Sequence, residues 1–425
     1  MPGTWHDLIE RIHQAPHLAV VVVTGGGASA IAELLSIPGG SRTLLEAVVP
    51  YSETALTDWL GRRPEHFCVE ETALAMAAMA FQRGCRLIAG DRSEQPDRSG
   101  LRSSGEFASS AATGAALPGS MIGVSCTASL ASDRPKKGEH RCHVATQSVS
   151  GTSAYSLVMQ KGSRDRCAEE QLVGHLILNA LARAAGLTDL PCLEVMPGEI
   201  VVEEHVIAAP LLVELLNGIR GIVWSLPDVA PEHEPAGPAT NFSHFAPHSS
   251  LHAAIPIPLS PPAGVLCGAF HPLHSGHEEL RKVAERIVGG PVYYELSIRN
   301  VDKPPLDFLT VDRRRAQFTE TPLALTTAPT FAEKAQVLPG VVFVVGADTA
   351  ERIVAPRYYG SAGMERALQM IRNAGCRFLV AGRAVEGRFI TLDDLPIPPE
   401  YADLFTAIAP DDFREDMSST GLRNS

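Results

Sequence analysis

Residues 264–277 read GVLCGAFHPLHSGH, and this stretch decides how the rest of the chain is interpreted. Its apolar first half predicts a buried strand, and the spacing of apolar residues over 276–288 predicts an amphipathic helix. Ser275 and Glu278 have the spacing of a capping box at the start of that helix, and Gly289 is suited to ending it. The stretch therefore predicts a strand, a short loop and a helix in direct succession.

Two histidines, His274 and His277, fall at the start of this helix. Backbone amide groups and the helix dipole favour phosphate binding there, and imidazole N–H groups add directional donors. A histidine pair in a loop can instead cap the helix or hold a metal ion. Because the pair follows a strand, we interpret the loop as a nucleotide-phosphate site. The residues predicted to form it are Gly268, Ala269, Phe270, His274, Gly276 and His277.

The chain after residue 262 alternates between strand-like and helix-like segments. Residues 291–298, 341–346 and 377–381 are apolar and of strand length, and 361–374 has helical spacing. Such alternation predicts an α/β domain with a doubly wound parallel sheet, whose binding sites lie at the carboxyl ends of the strands.

A second motif lies close to the end of the sequence. It reads Ser418-Ser419-Thr420-Gly421-Leu422-Arg423. Hydroxyl and amide groups of this kind can hold two phosphates, and the arginine can pair with them in a bidentate manner. The alternative interpretation of these residues alone is a polar tail.

Together the two motifs resemble those of the HxGH nucleotidyltransferase superfamily. The signatures G-x-F-x-P-x-H-x-G-H and S-S-T-x-x-R are similar in particular to those of the nicotinate and nicotinamide mononucleotide adenylyltransferases. Gly346 and Asp348, in the segment FVVGAD, resemble the strand end of that group, and Lys303 falls where relatives place phosphate contacts. His271 and Met417 depart from the pattern, since relatives usually have Asn or Asp and Ile there.

The resemblance implies a reaction in which the phosphate of a small acceptor attacks the α-phosphorus of a nucleoside triphosphate. The implied substrates are ATP, bound with Mg²⁺, and a pyridine mononucleotide, and the implied catalytic residues are His274, His277 and Arg423. Three alternatives stay open: a different phosphorylated acceptor, a cytidylyl donor, or a nucleotide sensor or scaffold without turnover.

The N-terminal region, from about 5 to 186, resembles the competence/damage-inducible (CinA) C-terminal domain family, whose active members deamidate nicotinamide mononucleotide. Thr24, Gly25 and Gly26 match the glycine turn of that family, and Tyr51 lies in its V-x-x-Y-S segment. These four residues are predicted to line a pocket. A scaffold or a homo-oligomer contact formed by this domain is the alternative interpretation.

The chemistry expected of that family is missing from the sequence. Val22 stands where the family has its nucleophilic serine, and Leu56 stands where a lysine is expected. Neither side chain can attack an amide or activate a nucleophile. We therefore expect a deamidase-like domain without deamidase activity.

A stretch rich in Pro, Ser and His separates the two regions. We predict a CinA-like domain over 1–190, a bridging segment and linker over 191–261, and a nucleotidyltransferase domain over 262–425. Five acidic and histidine residues of the linker could suggest a metal site, but their spacing is irregular, so no protein metal site is predicted. They are Glu232, His233, His244, His248 and His252.

Composition limits the class of partner. The 425 residues carry a formal net charge of −12, which argues against nucleic acid binding. The eight cysteines form no C-x-x-C pair, which favours reduced thiols in a cytoplasmic protein. The apolar run 18–23 is too short to cross a membrane, so no membrane partner is expected.

Overall fold

The computed structural model describes residues 3–93, 120–134, 136–227, 257–299, 304–355, 363–385 and 388–414. The described residues fall into two compact units. The first unit consists of the described residues up to Ala208, together with Leu216–Gly218 and the segment that ends at Val311. The second unit takes Ala209–Leu215 and the rest of the chain.

The first unit is built on a six-stranded mixed sheet with strand order β2-β1-β3-β4-β5-β6. Strands β2, β1 and β3 run parallel, and β4, β5 and β6 each run antiparallel to the preceding neighbour. The run Val20–Val23 lies in the middle of β1 and is completely buried, as a β-branched segment in the centre of a sheet should be. The strands are β1 (Leu18–Thr24), β2 (Leu44–Val48), β3 (Met121–Ser129), β4 (His140–Gln147), β5 (Gly151–Met159) and β6 (Val201–Ile207).

Helices cover this sheet and bury two apolar clusters. One cluster packs around Leu8, Leu34 and Ile177, and the other packs around Val22, Leu56 and Met76. The helices are α1 (Trp5–Gln14), α2 (Ala28–Ser36), α3 (Glu53–Leu60), α4 (Glu70–Ser93) and α5 (Arg166–Ala184).

The second unit contains a seven-stranded sheet with strand order β15-β12-β11-β8-β9-β10-β7. Neighbouring strands from β15 to β10 are parallel, whereas β7 is an antiparallel edge strand. A separate hairpin is formed by β13 and β14. The strands are β7 (Ile222–Ser225), β8 (Gly264–Cys267), β9 (Val292–Ser297), β10 (Leu323–Thr326), β11 (Val342–Gly346), β12 (Arg377–Ala381), β13 (Arg383–Val385), β14 (Arg388–Ile390) and β15 (Phe405–Ala407).

The helices that follow these strands bury an aromatic core. Phe343 and Phe378 are fully buried in it, and the ring of Phe405 stacks on that of Phe378. The remaining helices, numbered on from the first unit, are α6 (Pro210–Leu216), α7 (Ser275–Val288), α8 (Phe308–Arg315), α9 (Phe331–Val337), α10 (Ala347–Ile353) and α11 (Gly363–Asn373). Leu216 of α6 and the part of α8 up to Val311 belong to the first unit.

The α/β class and the doubly wound sheet predicted from the sequence are confirmed. The parallel sheet differs from the prediction in one strand, because the bridging segment contributes β6 to the first sheet and the antiparallel β7 to the second. No described helix is both long and apolar enough to span a membrane. The polar stretch 94–119 and the linker residues 228–256 lie outside the described residues.

Candidate functional site

The order in which strands are added to the second sheet changes sides at β8, and this position organises the candidate site. From β8 the chain adds β9 and then β10 on one side, and it later adds β11 and then β12 on the other. The carboxyl ends of β8 and β11 therefore flank a crevice, which is where doubly wound sheets bind ligands. The loop that starts at Gly268 follows β8, and Ala347 follows β11.

His274 and His277 lie together at the start of α7. Their ring centroids are 3.8 Å apart, with a 40° angle between the ring planes. His274 is the N-cap residue and His277 is the third helical residue. The capping box was predicted one position too late, at Ser275 and Glu278. The helix begins at Ser275, so His274 and His277 form the capping box instead. Gly289 ends the helix in the left-handed conformation, as expected.

The hydrogen bond within this pair fixes the tautomer of His277. The backbone N–H of His274 donates to Nδ1 of His277 at 3.3 Å. Since Nδ1 accepts, the ring proton of the neutral imidazole is on Nε2. Desolvation by burial, together with smaller contributions from His274 and Arg383, lowers the pKa of His277 to about 4. At neutral pH, His277 is thus an uncharged donor.

Phe270 anchors the loop beneath the histidines. Its side chain is 1% exposed, and its ring meets those of His277, Tyr294 and Phe318 edge-on at centroid distances of 5.2 Å. Its φ of 46° is unusual for a residue with a side chain, so the packing must offset a strained backbone. A Cβ on Gly268 would lie 2.8 Å from the Phe270 ring, which explains the glycine there.

Two residues that the sequence analysis did not assign to the site hold this loop in place. Gln317 donates from Nε2 to the carbonyl of Phe270 at 3.1 Å, and its Oε1 accepts the N–H of Leu273 at 2.8 Å. Arg314 donates to the carbonyl of Ala269 at 2.9 Å. No sequence signal identifies Gln317, because its role depends on a tertiary contact.

Asp348 and Arg383 complete the described part of the site. Asp348 lies in the first turn of α10, after Gly346, and its Oδ1 accepts from Nη1 of Arg383 at 3.0 Å. Arg383 follows β12, the strand next to β11. Arg383 belongs to neither sequence motif, although a charged residue directly after a predicted parallel strand is a usable signal.

Five predicted site residues lie outside the described residues. They are Lys303, Ser418, Ser419, Thr420 and Arg423. Within the described ranges, no group of three His, Cys, Asp or Glu side chains is placed to hold a metal ion.

The four residues that were predicted to line a pocket in the first unit lie around one cavity. Thr24, Gly25, Gly26 and Tyr51 line a cavity of 380 Å³, together with Arg166, Cys167 and Glu170. Thr24 donates to the carbonyl of Pro50 at 3.0 Å, and Arg166 donates to the carbonyl of Gly25 at 3.0 Å.

The two positions that lack the expected catalytic groups are part of the core. Val22 is 0% exposed and Leu56 is 1% exposed, and both pack in the same apolar cluster. Both side chains therefore contribute to the packing of the core.

No family model and no curated protein matches this sequence. Solved structures of CinA-type proteins are similar to the CinA-like part of the chain. The competence/damage-inducible protein CihA from Agrobacterium tumefaciens is 19% identical, covering 43% of this chain and 97% of its own, with a TM-score of 0.31. The competence or damage-inducible protein from Enterobacter asburiae is 17% identical, covering 43% and 98%, with a TM-score of 0.28. A CinA superfamily protein from Enterobacter cloacae is 17% identical, covering 42% and 91%, with a TM-score of 0.29.

Proposed function

We propose that the second unit transfers an adenylyl group from ATP, bound as its Mg²⁺ complex, to the phosphate of a pyridine mononucleotide. The observation that carries this proposal is the pair of imidazoles, 3.8 Å apart, in the first turn of α7 at the switch point of the sheet. The first-turn amide groups and the helix dipole favour phosphate at this position.

The charges of the site suit a triphosphate. At neutral pH His277 presents its Nε2–H as a neutral donor that can bind a phosphate oxygen. Arg383 supplies positive charge, and its guanidinium has further N–H groups besides the one bonded to Asp348. Gln317 and Arg314 hold the loop rigid, so that the donors are already aligned when the substrate binds.

The proposed reaction needs no protein nucleophile. A phosphate oxygen of the acceptor forms a bond to the α-phosphorus, the bond from that phosphorus to the bridging oxygen breaks, and pyrophosphate leaves with the electron pair. The attacking oxygen is already an anion, so the residues contribute by positioning and by stabilising the charge on the leaving group. Among the described side chains, we assign this role to His274, His277 and Arg383.

The choice of a pyridine mononucleotide as acceptor is supported by two resemblances in sequence. The HxGH motif resembles adenylyltransferases that use this acceptor, and the glycine turn at Gly25 and Gly26 resembles a family that acts on nicotinamide mononucleotide. The second point is analogy at the level of the fold and has less weight.

The test is pyrophosphate release by the full chain with Mg²⁺, crossing ATP and CTP with nicotinamide mononucleotide, nicotinate mononucleotide and other phosphorylated acceptors. We expect release with ATP and a pyridine mononucleotide, and a loss of about 10²–10³-fold in His277→Ala. Glu279→Gln, an exposed change on the same helix, is the matched control and should keep the wild-type rate.

Other outcomes distinguish the remaining functions. Release with CTP, or with a different acceptor only, would replace the proposed substrates but keep the reaction. ATP binding without release for any pair would contradict the enzyme and favour a nucleotide sensor or scaffold.

A further inference from the structure

Helix α8 is divided between the two units, and its two ends have different contacts. The first unit includes the helix up to Val311, and the second unit includes it from Asp312 onward. The helix has eight residues and is about 12 Å long, so a hydrogen-bonded backbone joins its ends. A displacement of the first turn therefore also displaces the last turn.

The first turn of α8 is anchored in the core of the first unit. The side chain of Leu309 is 4% exposed and packs in an apolar cluster that includes Leu74 and Ala154. The backbone N–H of Phe308 donates to Oγ1 of Thr152 at 2.9 Å. A first-turn N–H has no partner within its own helix, so this buried hydroxyl supplies the bond that helix geometry leaves open.

A local cap keeps this first turn helical. The carboxylate of Asp307 accepts the backbone N–H of Thr310 at 2.9 Å and the hydroxyl of the same residue at 2.6 Å. Asp307 is itself buried, and its carbonyl accepts the N–H of Val311 at 2.9 Å. Because the turn is capped and anchored, fraying at this end is opposed by both local and tertiary contacts.

The other end of α8 holds the loop of residues 268–274, the histidine loop. Arg314 donates to the carbonyl of Ala269 at 2.9 Å. Gln317, two residues after the helix, bonds both the carbonyl of Phe270 and the N–H of Leu273. All three bonds reach backbone groups of the loop, so they fix the loop relative to α8.

From these contacts we propose that Leu309 and Thr152 are positioning residues for the histidine loop. They fix the first turn of α8, and the helix holds the loop through Arg314 and Gln317. The first unit thereby contributes to the loop without a catalytic group of its own. The expected effect on turnover rests on the proposed adenylyl transfer, whereas the expected effect on the loop does not.

Hydrogen–deuterium exchange tests the proposal on the full chain without substrate. The reporter is a peptide covering 268–277, which contains the N–H of Leu273 held by Gln317. We expect Leu309→Ala to raise the exchange rate of this peptide about tenfold, because the first turn of α8 loses its apolar anchor. Leu176→Ala is the matched control, since Leu176 is 2% exposed in a different apolar cluster of the first unit. It should leave exchange in the loop unchanged.

Two substitutions of Thr152 test the hydrogen bond without removing apolar packing. Thr152→Val has nearly the same shape but no acceptor for the N–H of Phe308, so loop exchange should rise about fivefold. Thr152→Ser keeps the hydroxyl and should keep the wild-type exchange rate. In turnover assays, KM for ATP should rise in Thr152→Val and stay at the wild-type value in Thr152→Ser. Denaturant titration establishes that each variant is folded.

Three results would overturn the proposal. Unchanged loop exchange in the folded Leu309→Ala and Thr152→Val variants would show that α8 does not transmit the anchor. An equal rise in Leu176→Ala would mean that the loop responds to any loss of stability. An equal rise in Thr152→Ser and Thr152→Val would exclude the hydrogen bond as the link. The expected exchange pattern without any turnover would contradict adenylyl transfer and support the positioning role.

Discussion

Arg383 and Asp348 form an ion pair at the carboxyl ends of two neighbouring strands, with Nη1 and Oδ1 3.0 Å apart. The pair places a guanidinium beside His277, whose pKa it helps to lower. If the proposed reaction is correct, Arg383 stabilises charge on the departing pyrophosphate. Arg383→Gln should therefore lower kcat by about 10²-fold. Arg377→Gln, an exposed change at the start of β12, is the control, and an equal rate in both variants would contradict this role.

The pKa of His277 predicts a pH dependence of stability. This pKa is about 4 in the folded chain against an ordinary 6.5, so the unfolded chain binds more protons between these pH values. Stability therefore falls as pH drops from 6.5 to 4, by up to about 3 kcal/mol. Chemical unfolding of the wild type and of His277→Gln at several pH values measures this difference. Parallel curves for the two proteins would show that His277 titrates normally.

Gln317 should be required for the shape of the histidine loop. Gln317→Leu removes both hydrogen bonds to the loop and leaves Leu273 N–H and Phe270 C=O without these partners. We expect a loss of about 2 kcal/mol in the free energy of unfolding and a raised KM for ATP. Denaturant titration and initial rates measure the two effects. An unchanged KM would mean that the loop keeps its conformation without Gln317.

Restoring a lysine in the first unit should cost stability. Leu56 is 1% exposed, so Leu56→Lys places an ammonium group in an apolar cluster. We expect a destabilisation of about 4 kcal/mol or a strongly lowered lysine pKa. The matched control is Leu35→Lys at a position that is 62% exposed, which should change stability by less than about 0.5 kcal/mol. Thermal unfolding of both variants shows whether position 56 is a core position that rejects a charge or a position that could accommodate a catalytic lysine.

Local sequence patterns predicted most of the strands and helices. The β-branched run Val20–Val23 and the helical spacing of 276–288 are determined by short-range preferences and by burial, so the strand and the helix could be predicted. The edge strand β7 could not, because four residues inside a bridging segment carry too weak a pattern. The helix start was misplaced because serine is the usual N-cap, whereas here the pairing of the two histidines decides it.

Only the site residues that belong to a local sequence motif could be predicted. His274 and His277 are three residues apart, and their proximity follows from helix geometry. Arg383 and Gln317 reach the same loop from distant segments, so their roles depend on the strand order and on packing. The lowered pKa of His277 likewise comes from burial and from a neighbouring arginine, which no local pattern specifies.

The glycine turn at Gly25 is required by the backbone that passes next to it. A Cβ on Gly25 would lie 1.9 Å from the carbonyl oxygen of Ala128, so the close approach of two chain segments excludes any larger residue at this position. That requirement holds whether or not the neighbouring pocket binds a ligand. In this chain the glycine is therefore evidence about how two backbone segments meet, and it carries no information about catalytic activity.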